Sequence, residues 1–324
     1  CTPYFVGNVP APGDHVAWAE SSAVSFANSV LGARTNREGG PSALAAAISG
    51  CTPRYGLHLA GNRRAQLVVE VRCPVASYAD FGALGTMVGR VAQNRVPYFR
   101  GLEVPKFQRS SSELRVPSSQ QGVQNLELDT RYSKLETSID LLKTLGAAMA
   151  ASGAVALYHI EGVTGESDTP DIIVSDAETL VVESLARGYA ALTSSGEHKI
   201  DLVWIGCPHA SLAELTQVIE LLAGRPVQTE LWVTMAREVQ VEAESAGLVA
   251  GLQALGGRVV ADTCLVVAPV RELGFRSMAT PSGKGAYYAP SHSGLAVHDG
   301  PLEACINAAV TGEWEYEDTP RAGH

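Results

Sequence analysis

Six cysteines, at positions 1, 51, 73, 207, 264 and 305, are the residues of this chain best suited to metal chemistry. Thiolates are soft ligands that suit zinc and iron–sulfur clusters. No CxxC pair is present, which excludes a zinc ribbon or a small ferredoxin motif, so any thiolate site must be assembled by the fold from distant positions. Cys51 follows a helix-ending Gly, Cys73 ends a strand and Cys305 sits in an Ala-rich helix; all three read as small apolar packing residues. Cys1 in "CTPYF", Cys207 in "GCPHAS" and Cys264 in "ADTCLV" lie in loops beside Pro, Thr or Gly, where packing is a poorer account.

A second group of reactive types is crowded into "WAESSAVSFANSVLGARTNREGG": Glu20, Ser21, Ser22, Asn28, Arg34, Thr35, Asn36, Arg37 and Glu38. Arg34 or Arg37 can clamp a carboxylate with two parallel hydrogen bonds. A solvated loop with surface ion pairs explains the same composition, because exposed charge needs no site. His159 ends the strand-like "AVALYHI", and His209 stands two residues after Cys207. Either suits a proton carrier or a partner to a metal ligand, and His209 equally suits a backbone-bonding residue at a helix start. Ser282 and Lys284 lie in "PSGKGAYYAP", where the flanking glycines let backbone approach a ligand closely and the lysine offers a point charge to a carboxylate or phosphate. Tyr287 and Tyr288 fit a core as well as a site.

These residues need elements to position them. The apolar run 201–205 reads as a strand covered on both faces, ended by Gly206 and Pro208. Ser211 with Glu214 has capping-box spacing for the helix that follows. "TELWVTM", a helix running from Ala236 to Gly256, and the strand "RVVAD" continue the alternation, which predicts a parallel sheet with right-handed crossovers. Cys207 and Cys264 both follow strands of this unit, so both lie at the carboxyl edge, where open α/β sheets bind ligands. Further helices are predicted over 21–31, within 40–50, over 78–93 and over 133–153, with strands at 65–73, 96–104 and 154–162 and a strand-then-helix unit over 171–196. Residues 108–133, rich in Ser, Gln and Arg, read as a flexible insertion or mobile connection.

The chain has 324 residues, 46% hydrophobic and 18% charged, enough for a large α/β core. Its net charge of −10 argues against a nucleic-acid partner, since there is no basic excess to displace counterions. The longest uncharged stretch, 144–160, is rich in Gly, Ala and Ser and reads as a helix end and a strand, so no membrane partner is expected. No GxGxxG, Walker A or GxSxG motif occurs. A large chain with sparse cysteines favours reduced thiols and a cytoplasmic setting. The first residue is a cysteine, so processing or truncation at the amino terminus is expected.

The stretches "CTPYFVGNVP", "WAESSAVSFANSVLGARTNREGGPSALAAAISG", "GCPHAS", "ADTCLVVAP" and "PSGKGAYYAP" closely resemble the large catalytic domain of the aconitase X family, from residue 1 to about residue 310. The resemblance implies an α/β fold of parallel sheets flanked by helices, with the whole of 1–324 as the large catalytic domain. It implies a hydro-lyase of the aconitase superfamily, with an iron–sulfur cluster on Cys1, Cys207 and Cys264. The cluster type expected is [2Fe-2S], with [3Fe-4S] or [4Fe-4S] as alternatives. Three protein ligands leave a metal position open for a hydroxyl oxygen, which then departs more easily. On this reading Glu20, Ser21, His159 and Lys284 are the catalytic candidates, and Ser22, Asn28, Arg34, Thr35, Asn36, Arg37 and Ser282 bind a small hydroxy-acid substrate. Family members differ in that substrate. The sparse clustering of Lys and Arg favours cis-3-hydroxy-L-proline, converted to Δ1-pyrroline-2-carboxylate, over mevalonate 5-phosphate. Two parts of the family pattern are missing here: a segment ahead of Cys1, and a swivelling domain with a catalytic serine. The expected partner is therefore a swivel domain from the same precursor or a separate small subunit. A non-catalytic subunit that only holds a cluster is the remaining alternative.

Overall fold

A computed structural model describes residues 1–104, 130–194 and 198–316. In chain order the helices are α1 (Ser21–Phe26, continued by a wide π turn over Ala27–Leu31), α2 (Gly40–Ser49), α3 (Tyr78–Ala92), α4 (Thr130–Gly153), α5 (Ala186–Leu192), α6 (Leu212–Leu222), α7 (Arg237–Ser245), α8 (Leu248–Ala254), α9 (Gly283–Ser293) and α10 (Leu302–Thr311). The strands are β1 (Ala65–Val71), β2 (Pro97–Arg100), β3 (His159–Ile160), β4 (Ile173–Val182), β5 (Leu202–Ile205), β6 (Glu230–Met235), β7 (Arg258–Ala261), β8 (Ser277–Thr280) and β9 (Ala296–Asp299).

They form two parallel sheets flanked by helices, as the alternation predicts. The first has the order β3-β2-β1-β4 and the second β7-β6-β5-β8-β9. In the second sheet the chain runs outward from β5 to β7 and then returns to β5's other side. The order therefore reverses between β5 and β8, and the flanking connections diverge there to leave a crevice at the carboxyl ends. Side chains of β5 alternate between two cores. Val203 and Ile205 enter the main core, while Leu202 and Trp204 pack with Met278, Ala286 and Val297 under α9. This two-sided burial is why the run is apolar throughout.

Helices α3 and α4 cross closely because small residues meet at their contact. A Cβ on Gly153 would lie 1.8 Å from the Gly89 carbonyl oxygen. The uncharged stretch 144–160 is the last part of α4 followed by the entry to β3. Among the described residues no helix is long and apolar enough to cross a membrane.

Several expectations are adjusted. The helix predicted from Ala236 to Gly256 is two, because Gly247 takes a left-handed φ of 74° between them. Most of the predicted insertion 108–133 lies outside the described residues, and its last four residues already belong to α4. Cys51 is exposed just beyond α2, so packing does not explain it; Cys73 is half-buried and Cys305 fully buried. Helix α2 buries none of its residues, and Leu44 and Ile48 are 63% and 79% exposed.

Candidate active site

The site lies at the β5–β8 crevice. Directly after β5, Gly206 takes φ 97°, and a Cβ there would meet the Thr234 carbonyl oxygen at 2.1 Å, so only glycine permits this turn. Thr234 of β6 braces it: its hydroxyl donates to Gly206 O at 2.7 Å, and its carbonyl accepts from Ala210 N at 2.8 Å. The Cys207–Pro208 peptide is cis. The predicted capping box forms, with Glu214 N donating to Ser211 Oγ at 3.1 Å and Ser211 N donating to Glu214 Oε2 at 2.9 Å. Helix α6 thus fixes one end of the loop that carries Cys207.

Across the crevice, Ser282 donates its hydroxyl to the Cys207 carbonyl and accepts from Gly285 N at 3.0 Å, capping α9. Lys284, in the first turn of α9, reaches out of the sheet layer to Glu20. Its ammonium ion-pairs with Glu20 Oε1 and lies 3.3 Å from Ser22 Oγ and 3.5 Å from Ser21 Oγ. Glu20 in turn caps α1: its Oε2 accepts from Ala23 N at 2.8 Å and from Ser22 Oγ at 2.6 Å. Burial pushes the Glu20 carboxyl up, but the Lys284 charge and these hydrogen bonds outweigh it and hold it below its ordinary value. Burial disfavours the Lys284 ammonium, and the nearby Glu20 carboxylate together with the Cys207 and Cys264 thiols outweighs this and raises its pKa.

The three loop cysteines gather around His209. Its backbone N donates to Cys1 Sγ at 3.3 Å, and its Nε2 donates to Thr263 O, beside Cys264, at 2.7 Å. Cys264 Sγ also accepts from Val266 N at 3.4 Å. All six cysteines are free thiols; Cys1 is exposed, Cys264 half-buried and Cys207 buried. Burial pushes the Cys207 thiol up to about 11, with the Lys284 ammonium opposing and Cys264 adding. A metal would displace that proton, because a coordinating thiol ionises outright. Among the described residues no three Cys, His, Asp or Glu side chains are gathered as they would be around a single metal ion. A cluster spreads its thiolates over several irons, and three sulfurs with an open fourth position is a donor set that fits one.

The other candidates lie elsewhere. Asn28 is committed to the fold: Nδ2 donates to Thr35 O and Ala156 O, both at 2.8 Å, while Oδ1 accepts from Thr35 N and Arg63 Nη1, both at 3.0 Å. That uses the whole hydrogen-bonding capacity of the amide. Thr35 Oγ1 is shared between Trp18 N and Asn36 O. Asn36 binds Tyr55 O and Leu57 N, and Arg34 donates to His58 O at 3.3 Å. These residues hold their own loop together. Arg37 is exposed, donates to Ala150 O at 3.4 Å and lines a cleft of about 480 Å³ shared with Tyr288. His159 is buried on β3, at the edge of the other sheet, and donates from Nε2 to Arg63 O at 2.8 Å. Burial lowers its pKa. The structure therefore brings together Cys1, Cys207, Cys264, Ser282, Lys284, Glu20, Ser21 and Ser22. It does not bring His159, Asn28, Thr35 or Asn36 into that group.

Models of three consecutive aconitase X domains match this chain: the first domain over residues 1–61, the second over 126–187 and the third over 200–311. The chain belongs to the aconitase X family. It is 42% identical to the phosphomevalonate dehydratase large subunit of Methanocaldococcus jannaschii, over 94% of this chain and 70% of that protein. The corresponding subunit of Methanothermobacter thermautotrophicus is 44% identical, over 92% and 67%. Cis-3-hydroxy-L-proline dehydratase of Pseudomonas aeruginosa is 35% identical, over 96% of this chain and 50% of its own length. The crystal structure of Thermococcus kodakaraensis aconitase X in its holo-form superposes with a TM-score of 0.80 at 42% identity, covering 95% of this chain and 72% of that one. Within this aconitase X chain, two buried groups escaped the sequence reading. Arg63 binds Asn28 and Glu166, and Lys143 ion-pairs with Asp140 and Glu214. The signal for Lys143 was Asp140 and Lys143 three apart inside the otherwise apolar helix "IDLLKTLG".

Proposed function

We propose that this chain is the large-subunit part of a dehydratase that removes water from mevalonate 5-phosphate. The observation that carries the reading is the greater identity, 42% and 44% against 35%, to relatives named phosphomevalonate dehydratase large subunit. It replaces the expectation of cis-3-hydroxy-L-proline, which rested on the scarcity of clustered cations. Scarcity is a weak argument here, because one cation for each anionic end of the substrate is enough.

Cys1, Cys207 and Cys264 are the residues that would hold an iron–sulfur cluster. When bound, it supplies a Lewis acid that eases departure of the substrate hydroxyl. The remaining work falls to the chain's own groups. Loss of a proton from the carbon next to the carboxylate builds negative charge on that carboxylate. The Lys284 ammonium, fixed in advance by Glu20 and Ser22, is placed to stabilise it without reorganising. Ser21 supplies a hydroxyl that orients the substrate, while buried Ser22, its proton on Glu20, holds Glu20 and Lys284 in place. Tyr288 stands one turn beyond Lys284, about 6 Å along α9, and shares its cleft with Arg37. Arg37 is the cation we assign to the phosphate end of the five-carbon substrate. The partner is a small subunit or swivelling domain that closes over this crevice.

The test is turnover by full-length protein, loaded with iron and sulfide under anaerobic conditions and combined with its small partner. Water loss from mevalonate 5-phosphate is the expected result. Turnover of cis-3-hydroxy-L-proline alone would overturn the substrate assignment. No turnover of either by cluster-loaded protein would support a non-catalytic cluster carrier.

A further inference from the structure

Lys143 is buried in α4, and its ammonium meets three oxygens. It donates to Glu214 Oε2 at 2.5 Å and to the His209 carbonyl oxygen at 3.1 Å. It also ion-pairs with Asp140 Oδ1 at 2.7 Å. The ammonium also lies over the Phe5 ring, 5.3 Å from its centroid, in the turn that follows Cys1. Asp140 makes a further link, accepting from Ser211 Oγ at 2.6 Å.

His209 is where these contacts meet the thiols. Its carbonyl is held by Lys143, its backbone N donates to Cys1 Sγ, and its ring donates to the carbonyl beside Cys264. It is itself two residues from Cys207. One residue thus touches or adjoins all three cysteine segments, and one ammonium anchors it from beneath. Cys1 is exposed and Cys264 half-buried, so packing alone does not fix either.

Stability is a poor explanation for such a triad. The desolvation cost of burying three charges largely cancels their attraction, and well-packed apolar or neutral replacements are often as stable. A fixed geometry is the better explanation. Resting on the proposal that these cysteines hold a cluster, we infer that Lys143, with Asp140 and Glu214, is a positioning residue. It locks the His209 peptide so that Cys1, Cys207 and Cys264 keep the mutual placement the cluster needs. None of the three touches substrate.

The test uses the full-length protein carrying Asp140→Asn, Lys143→Met and Glu214→Gln together, which neutralises all three groups at nearly constant volume and leaves no buried charge unpaired. Three readouts are compared with wild type: melting of the apo form, the visible-absorbance half-life under anaerobic chelator, and the electron paramagnetic resonance spectrum of the reduced cluster. The apo form is expected to melt within about 4 °C of wild type. The cluster is expected to bleach about ten-fold faster, with a changed resonance spectrum. A folded variant with the wild-type half-life and spectrum overturns the inference. If the triple variant does not fold, Asp140→Asn alone carries the test, because it removes one charge of the triad and leaves the Ser211 cap of α6 in place. Faster bleaching there supports the inference and an unchanged rate overturns it. Wild-type protein that takes up no iron and sulfide defeats the cluster reading itself, and the inference with it.

Discussion

The two sheets offer the same opportunity and use it differently. Each runs outward from a central strand and returns to its other side, so each has a reversal at the carboxyl ends, β1/β4 in the first and β5/β8 in the second. A cysteine follows the central strand in both, Cys73 in one and Cys207 in the other. Burial pushes both thiols up. Their charged neighbours then differ in sign: Asp80 further disfavours the Cys73 thiolate, whereas Lys284 favours the thiolate of Cys207. The bridges across the two crevices differ as well. In the first, Tyr189 Oη donates to Asp80 Oδ1 at 2.7 Å, so two side chains satisfy one another and close the gap. In the second, the Ser282 hydroxyl bonds a backbone carbonyl, leaving thiols and an ammonium at the opening. Topology supplies the crevice; polar groups left over for a ligand make it a site.

The largest expected effect separates the two cysteines. Cys207→Ser should abolish cluster uptake and take turnover to background, while Cys73→Ser should leave both unchanged. Iron and sulfide content with a turnover assay decide it, and equal effects from the two substitutions would break the comparison. Lys284→Met comes next. Removing a charge fixed where negative charge develops should lower kcat/KM by about 100-fold or more. It should also change acid stability. The Glu20 carboxyl is held below its ordinary value in the folded chain. Its stabilising contribution is therefore complete above that ordinary value and is lost as pH falls through the lower folded one. The melting-temperature gap between wild type and Lys284→Met should be full at neutral pH and narrow in the acid range. Calorimetry across that range checks it, and a gap independent of pH would mean that Glu20 and Lys284 are not coupled.

How much of this was legible in the sequence follows from which interactions are local. The runs at 201–205, 230–235 and 258–261 could be read because strand and helix periods alternate there, and their order put Cys207 and Cys264 on one edge. The Ser211–Glu214 box was legible for the same reason. The short strands β8 and β9 were not read, and with them the reversal beside β5 that faces Ser282 and Lys284 toward Cys207. The alternation lapses after β7, where no helix leads into β8, and which strand β8 joins is a long-range choice. Asn28, Thr35 and Asn36 drew attention as polar types, but composition cannot tell a ligand-binding amide from one that ties its own loop. The same blindness hid Arg63 and Lys143, which meet Glu166 and Glu214 only through the fold.

The smallest effect belongs to the closed crevice. Tyr189→Phe removes the hydroxyl that donates to Asp80 Oδ1 but keeps the ring in the α3–α5 contact. Asp80 retains two donors at Oδ2, Ser77 N at 2.9 Å and Ala76 N at 3.1 Å, so its carboxylate stays solvated by the chain. The loss is then one charge-assisted hydrogen bond at a partly buried position, about 1–2 kcal/mol of folding stability. Denaturant unfolding should show that cost, with kcat and KM both unchanged. A fall in kcat beyond what the lost stability explains would mean that the first crevice is wired to the chemistry of the second. The contrast would then be one of degree, with the Asp80–Tyr189 bridge acting as a distant support for α9 rather than as a plug.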